Sequence, residues 1–260
     1  MKKILKGFLI IVIVLFVIIC GLFGYAVYTS IKEENKLSNE ISSLLDLDLA
    51  KDTVDTTVVT SDEYGVIEKV IKNYLKEYSD NCKDFVGILD NFDFSNMFTA
   101  STFKNDGPDF LDSKSKLSKL KDTLNTDLDK LIEMSSSDYI MELINREKLD
   151  DYYVDLYREY MLGEDTKSFD YMISDSIKEL TQVKEDVNIF LDDCYNLYDF
   201  MSNNRSYWYV DGEIVYFDTD ELINEYNALI NKIIIDSNAF DEYDSDSNKT
   251  SDNSGSVGSI

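Results

Sequence analysis

The sequence predicts an all-α protein: an N-terminal transmembrane helix, then an elongated antiparallel bundle of four to five helices with one β-hairpin before the last. Three observations predict it. Residues 7–29 form a run of 23 without a charge. Several later segments repeat apolar residues every three or four positions, the period of a helix with one buried face. One proline and ten glycines in 260 residues are too few turn-formers for a turn-rich β architecture.

As a helix the run 7–29 is roughly 35 Å long, enough to cross a hydrocarbon core of about 30 Å. Lys2, Lys3 and Lys6 precede it, while Lys32 is followed at once by Glu33 and Glu34. This bias holds the leader 1–6 in the cytoplasm and everything from residue 30 outside. Tyr25 and Tyr28 fall at the outer end, where aromatic rings sit among head groups. The expected localisation is therefore the cell membrane, single-pass, with the C-terminus extracytoplasmic. A cleaved signal peptide is an alternative: Gly24-Tyr25-Ala26 offers a cut site that would make the protein secreted, though the run exceeds the roughly 7–15 apolar residues of a signal core. A lipoprotein needs a small residue before Cys20 and finds Ile19. The leader ending Lys6-Gly7-Phe8 looks like a type IV prepilin leader, but Val12 stands where pilins carry glutamate.

The chain has 25 basic and 51 acidic residues. Without the three leader lysines the balance is 22 to 51, a net −29 for the external part. Such a charge repels anionic surfaces, and the basic footprint of a nucleic-acid binder is missing. Divalent cations or basic partners are attracted, although a solvated acidic face accounts for the same composition. Histidine is absent, which excludes Ser-His-Asp and Cys-His catalysis and histidine-ligated metal sites. No cofactor or metal is expected. Of the three cysteines, Cys82 and Cys194 fall on apolar stripes of two different helices and read as buried thiols, a disulfide being the alternative.

Taken in order, residues 30–61 read as a stalk: Ile31, Ile41, Leu44 and Leu45 continue the membrane helix, and the Thr, Val and Asp mixture of 51–60 is irregular. The external domain spans 62–237. Its first helix, about 62–91, has Ile67, Val70, Ile71, Tyr74, Tyr78, Cys82, Phe85, Ile88 and Leu89 on one face. Glu68, Lys72, Lys76, Glu77 and Lys83 mark the opposite face as water-exposed. The pattern breaks over 93–111, which ends in the turn Asn105-Asp106-Gly107-Pro108. This connection carries Phe94, Phe98 and Phe103; it folds over the bundle end or presents a partner-binding patch.

The second helix covers about 112–135, with Leu117, Leu120, Leu124, Leu128, Leu131 and Met134 on one side. Ser135-Ser136-Ser137-Asp138 supplies a stop and a fresh N-cap. The third covers about 138–162 as one element. Tyr153, Tyr157 and Tyr160 lie at i, i+4 and i+7, so their rings share a face, as the rim of a core or as a stacking strip for a sugar or peptide. The fourth, about 168–202, keeps its period from Ile173 through Leu180, Val187 and Cys194 to Met201.

The period then drops to two. Residues 206–217 read as a β-hairpin with Asp211-Gly212 in a type I′ turn. Trp208 and Val215 lie on one face, Tyr207, Tyr209, Ile214 and Tyr216 on the other. The hairpin either caps the core or offers Trp208 and Tyr209 as a ligand edge. Asp218 and Glu221 are placed like a capping box for the last helix, and 238–260 reads as a disordered acidic tail. Asp244, Asp246 and Asn248 echo a calcium loop, but Lys249 replaces its glycine.

The layout is similar to single-pass bacterial envelope proteins with external helical bundles, an analogy of architecture that carries no activity. The expected role is non-enzymatic: a module that binds, spaces or scaffolds another component. Its expected partners are the bilayer, through the N-terminal helix, and a protein of the envelope, with no nucleic acid and an unknown small-molecule ligand. The candidate partner-binding residues are Phe94, Phe98, Phe103, Tyr153, Tyr157, Tyr160, Trp208 and Tyr209. A ligand-sensing ectodomain acting through a membrane partner is the alternative, weakened by a cytoplasmic end of about six residues. A carboxylate-based hydrolase is a third, but no spacing singles out a pair among 51 acidic residues.

Overall fold

The computed structural model describes residues 32–44, 47–49, 51–163 and 166–251, with side chains except those of 166–172 and 237–251. The expected leader, membrane helix 7–29 and final residues 252–260 lie outside the described residues. Among the described residues no helix is long and apolar enough to cross a membrane. The protein is mostly helical, with one two-stranded antiparallel hairpin. Its described residues divide into two compact units, 32–86 with 127–182 and 87–126 with 183–251.

The helices are α1 (Lys32–Leu44), α2 (Asp62–Asn91), α3 (Phe94–Met97), α4 (Ala100–Asp106), α5 (Leu111–Met134), α6 (Ser137–Asn145), α7 (Asp151–Leu162), α8 (Thr166–Asn203) and α9 (Asp220–Ser251). The strands β1 (Trp208–Asp211) and β2 (Ile214–Phe217) come before α9.

In the unit built from 32–86 and 127–182, the stripe of α2 is buried as its spacing predicts, from Ile67 through Tyr78 to Phe85. Leu131, Ile140, Ile144 and Tyr157 are buried in the same unit. The stalk expected over 30–61 is corrected here. Leu37, Ile41 and Leu44 of α1 are buried, and so are Leu49 and Val54 of the irregular segment that follows. Three apolar residues at i, i+4 and i+7 in a polar helix are enough to pack one face, although they make a weak sequence signal.

That irregular segment also changes the face of α2. Glu68 and Lys72 were expected in water and are buried. The Glu68 carboxylate accepts from the backbone N–H groups of Val59 and Thr60 and from the Thr60 hydroxyl, at 2.6–3.1 Å. Lys72 Nζ donates to Glu68 at 2.6 Å, to Glu40 at 2.9 Å and to the Thr57 carbonyl at 2.5 Å. A strandless segment cannot satisfy its own backbone, so α2 supplies a carboxylate and an ammonium to do it.

The single helix expected over 138–162 is two, α6 and α7, separated by residues 146–150. Lys148 there takes a φ of 56°, which a continuous helix cannot contain. The polar run Asn145-Arg146-Glu147-Lys148 leaves no apolar residue between Ile144 and Leu149 to hold a further turn against the core. Ser136 caps α6 as expected, its hydroxyl accepting from Tyr139 N at 3.2 Å.

In the unit built from 87–126 and 183–251, the connection 93–111 is ordered into α3 and α4. Asp93 and Thr99 cap them, accepting from Asn96 N and Thr102 N. Asp106 then caps α5, accepting from Ser113 N at 2.7 Å and Asp112 N at 3.2 Å. The stripes of α5 and α8 supply Leu117, Leu120, Leu124, Leu197, Tyr198 and Met201 to the core.

The hairpin pairs Trp208 with Phe217, Tyr209 with Tyr216 and Asp211 with Ile214. Its two-residue connection is thus Gly212-Glu213, not Asp211-Gly212. Gly212 alone of the two has a positive φ, 60°, at the position a type II′ turn reserves for glycine. The expected capping box of α9 is also replaced, because Thr219 Oγ1 rather than Asp218 accepts, from Leu222 N at 3.4 Å. The helix itself runs to Ser251, past the Ser237 at which its apolar period fades.

Candidate functional site

The eight candidate aromatic residues part into two groups. Tyr153, Tyr157 and Tyr160 belong to the unit 32–86 with 127–182, and the other five to the unit 87–126 with 183–251.

In α7, Tyr157 is fully buried and its hydroxyl donates to the Ile140 carbonyl at 3.1 Å, tying α7 to α6. Tyr160 is buried as well, and loss of hydration with Glu34 nearby pushes its phenol up to about 12. Tyr153 is half-buried and stands edge-on to Tyr64, 5.4 Å between centroids. Tyr157 and Tyr160 are core and Tyr153 is its rim, so the three have a packing role in place of a continuous stacking strip.

The connection 93–111 is likewise an internal lid. Phe94 packs on Phe190 and Phe92, at 5.4 and 4.5 Å, and Phe98 lies half-buried against Tyr198. Phe103 is buried in a cluster with Phe110, Tyr198, Trp208 and Tyr226, centroids 5.6–6.4 Å away. Phe94 and Phe103 are therefore corrected from partner-binding to core.

The hairpin faces both ways. Trp208 turns inward: it stacks on Phe110 at 6.0 Å, and its Nε1–H donates to the Met201 carbonyl at 2.8 Å. Phe217 packs on Phe200 and Tyr226 from the same side. The opposite face is open. Tyr207, Tyr209, Ile214 and Tyr216 are 53%, 57%, 55% and 39% exposed. Tyr209 and Tyr216, directly opposite in the ladder, stack at 5.2 Å with planes 12° apart. An inner face spent on the core and a ladder closed by a glycine turn hold this aromatic surface rigid. Of the eight candidates, only Tyr209 lies on it. Alternation shows the rest of the face, since every second residue of a strand shares it.

Two clusters of charged groups were not read from sequence. One is Glu68 with Lys72 and Glu40. The other joins α8 and α9: Lys232 Nζ is 2.5 Å from Asp193 Oδ1, and the Asp193 and Asp236 side chains are hydrogen-bonded to each other. That bond, burial and the Asp193 charge push Asp236 up to about 6, against Lys232. Burial opposes ionisation of Asp193, but its bonds from Asp236 and Lys232 hold it below the ordinary range. Cys82 and Cys194 are free and buried, which pushes both thiols well up and leaves them poor nucleophiles. Among the described residues no group of three or more His, Cys, Asp or Glu is placed to hold a metal ion.

Comparison of the chain with protein-family models, with curated proteins and with solved structures finds no match.

Proposed function

We propose that the chain is a membrane-anchored, extracytoplasmic helical-bundle protein of the bacterial envelope that binds or scaffolds a protein partner without catalysing a reaction. The tyrosine face of the hairpin is the docking surface. The observation that carries this is the orientation of β1 and β2, whose second apolar face is left exposed among the described residues. Contiguous exposed aromatic side chains on a rigid support mark interaction surfaces, because they offer large contact area at little entropic cost. Membrane attachment rests on the uncharged run 7–29 and the lysines before it. The elongated antiparallel arrangement of the bundle belongs to the same proposal.

The test is crosslinking of the full-length protein in its own membrane, followed by purification, for the wild type and for the double variant Tyr209→Thr/Tyr216→Thr. One abundant envelope protein recovered with the wild type and lost from the variant is the expected result. Recovery of no partner, or of the same partner with both, rejects the hairpin as docking surface.

A further inference from the structure

Along the chain, the stretch that carries the tyrosine face has one sign of charge. No lysine or arginine occurs between residues 206 and 231, and Asp211, Glu213, Asp218, Asp220, Glu221 and Glu225 in that stretch are all exposed. The cations at its two ends are engaged: Arg205 pairs with Asp109 at 2.9 Å and Lys232 with Asp193. Asp211 and Glu213 stand at the tip of the hairpin and Asp218 at its base, so carboxylates bracket the rings along the ladder.

A tyrosine ring presents a negative face that attracts a guanidinium or ammonium within about 6 Å of its centroid. Carboxylates at both ends of such a surface add a field that draws in cations, orients them and turns away acidic partners. Resting on the reading of the hairpin as a docking face, we propose that the segment it binds is cationic: an arginine- or lysine-rich stretch of a protein. Its side chains lie over Tyr207, Tyr209 and Tyr216, and its charge is met by Asp211, Glu213 and Asp218. The aliphatic stems of those side chains cover Ile214.

The probe is a dodecapeptide of alternating arginine and glycine, titrated calorimetrically into the full-length protein in neutral detergent. Three variants keep the fold and separate the causes. Tyr209→Thr/Tyr216→Thr removes the rings but preserves the charge and strand preference. Asp211→Asn/Glu213→Gln removes the charges and keeps the rings. Asp122→Asn/Asp138→Asn removes the same number of exposed charges elsewhere. Far-UV circular dichroism confirms folding of each. The expected result is binding by the wild type that weakens with salt, a loss of about tenfold in each hairpin variant, and a change under twofold in the control.

Equal weakening by Asp211→Asn/Glu213→Gln and by the control pair, with none on removal of the rings, reduces the effect to net charge and overturns the proposal. Absence of wild-type binding overturns it too, as does binding of a neutral oligosaccharide to the same face in place of the peptide. The two readings fail separately. If the crosslinked partner is lost with Tyr209→Thr/Tyr216→Thr but retained with Asp211→Asn/Glu213→Gln, the docking face stands and its cationic partner falls.

Discussion

Lys72 and Glu68 have side chains only 3% and 1% exposed, 2.6 Å apart. Removing such groups from water costs several kcal/mol each, which pairing offsets only while both partners remain. Burial alone drives Lys72 down and Glu68 up; their mutual bond, with help from Glu40 and Thr60, reverses both directions. Lys72→Met therefore strands a buried carboxylate and lowers stability by about 3–5 kcal/mol in urea unfolding; a loss below about 1 kcal/mol would mean the pair is solvated. Asp236 behaves differently. The Oδ2 atoms of Asp193 and Asp236 are buried without a donor, and the neighbouring Asp193 carboxylate together with burial makes Asp236 hold its proton to higher pH than a free carboxyl. Lys232 and Asp186 face the pair, and both carboxyls act on Cys194. A carboxyl raised from 3.8 to about 6 binds more protons folded than unfolded. Its contribution is complete below the lower value and is lost as pH rises through the higher. Asp236→Asn keeps a donor at every pH, so the melting temperature rises at pH 8 and barely changes at pH 4. Equal shifts at both would refute a raised Asp236 carboxyl.

At the scale of elements, α4 and the hairpin are fitted together around Gly107. Its N–H donates to the Phe103 carbonyl at 3.1 Å, and a Cβ here would collide with that oxygen and stand 2.9 Å from the Trp208 ring. Backbone cannot yield as a flexible side chain can, so Gly107→Ala displaces Trp208 and costs about 2 kcal/mol. Trp208 is the single tryptophan, and its emission reads the displacement directly; unchanged emission with unchanged stability would show that the lid adjusts freely. The same fit explains why α3 and α4 form at all. Their own lengths of 4 and 7 residues are too short to be stable as isolated helices. Phe94, Met97 and Phe103 hold them by burial, and the caps at Asp93 and Thr99 satisfy their ends.

For the whole molecule the deciding quantity is the net charge of −26. Self-repulsion of that size destabilises the compact state. Cross-helix pairs such as Lys121–Asp192 and Lys130–Glu77, at 2.5 and 2.8 Å, work against it. Exposed pairs contribute about 0–1 kcal/mol each and are themselves weakened by salt. With 25 cations for 51 anions, repulsion outweighs pairing, and the melting temperature rises as sodium chloride goes from about 0.02 to 0.5 M, where screening shortens to a few ångströms. A falling melting temperature would give the larger role to the pairs.

Much of the helical framework was legible from apolar spacing alone. The limits of α2, α5 and α8, the burial of Cys82 and Cys194 and the two-sided hairpin follow from periods of 3.6 and 2, and the N-cap at Ser136 from its serine run; all are local properties of the chain. Three helix-spaced tyrosines and a phenylalanine-rich connection were equally visible, but their surroundings were not. Period shows which residues share a face and leaves open what lies against it. Glu68 and Lys72 occupy the polar side of α2 and are buried because a segment starting near residue 51 returns across them. Phe103 and Tyr209 are both aromatic residues in or beside short elements; one meets Phe110 and Tyr198 and the other meets water. The carboxyl pair of Asp193 and Asp236 joins residues 43 positions apart. Tertiary structure decided these cases, because burial depends on which distant segment covers a face, and the sequence pattern of one element does not encode its neighbour.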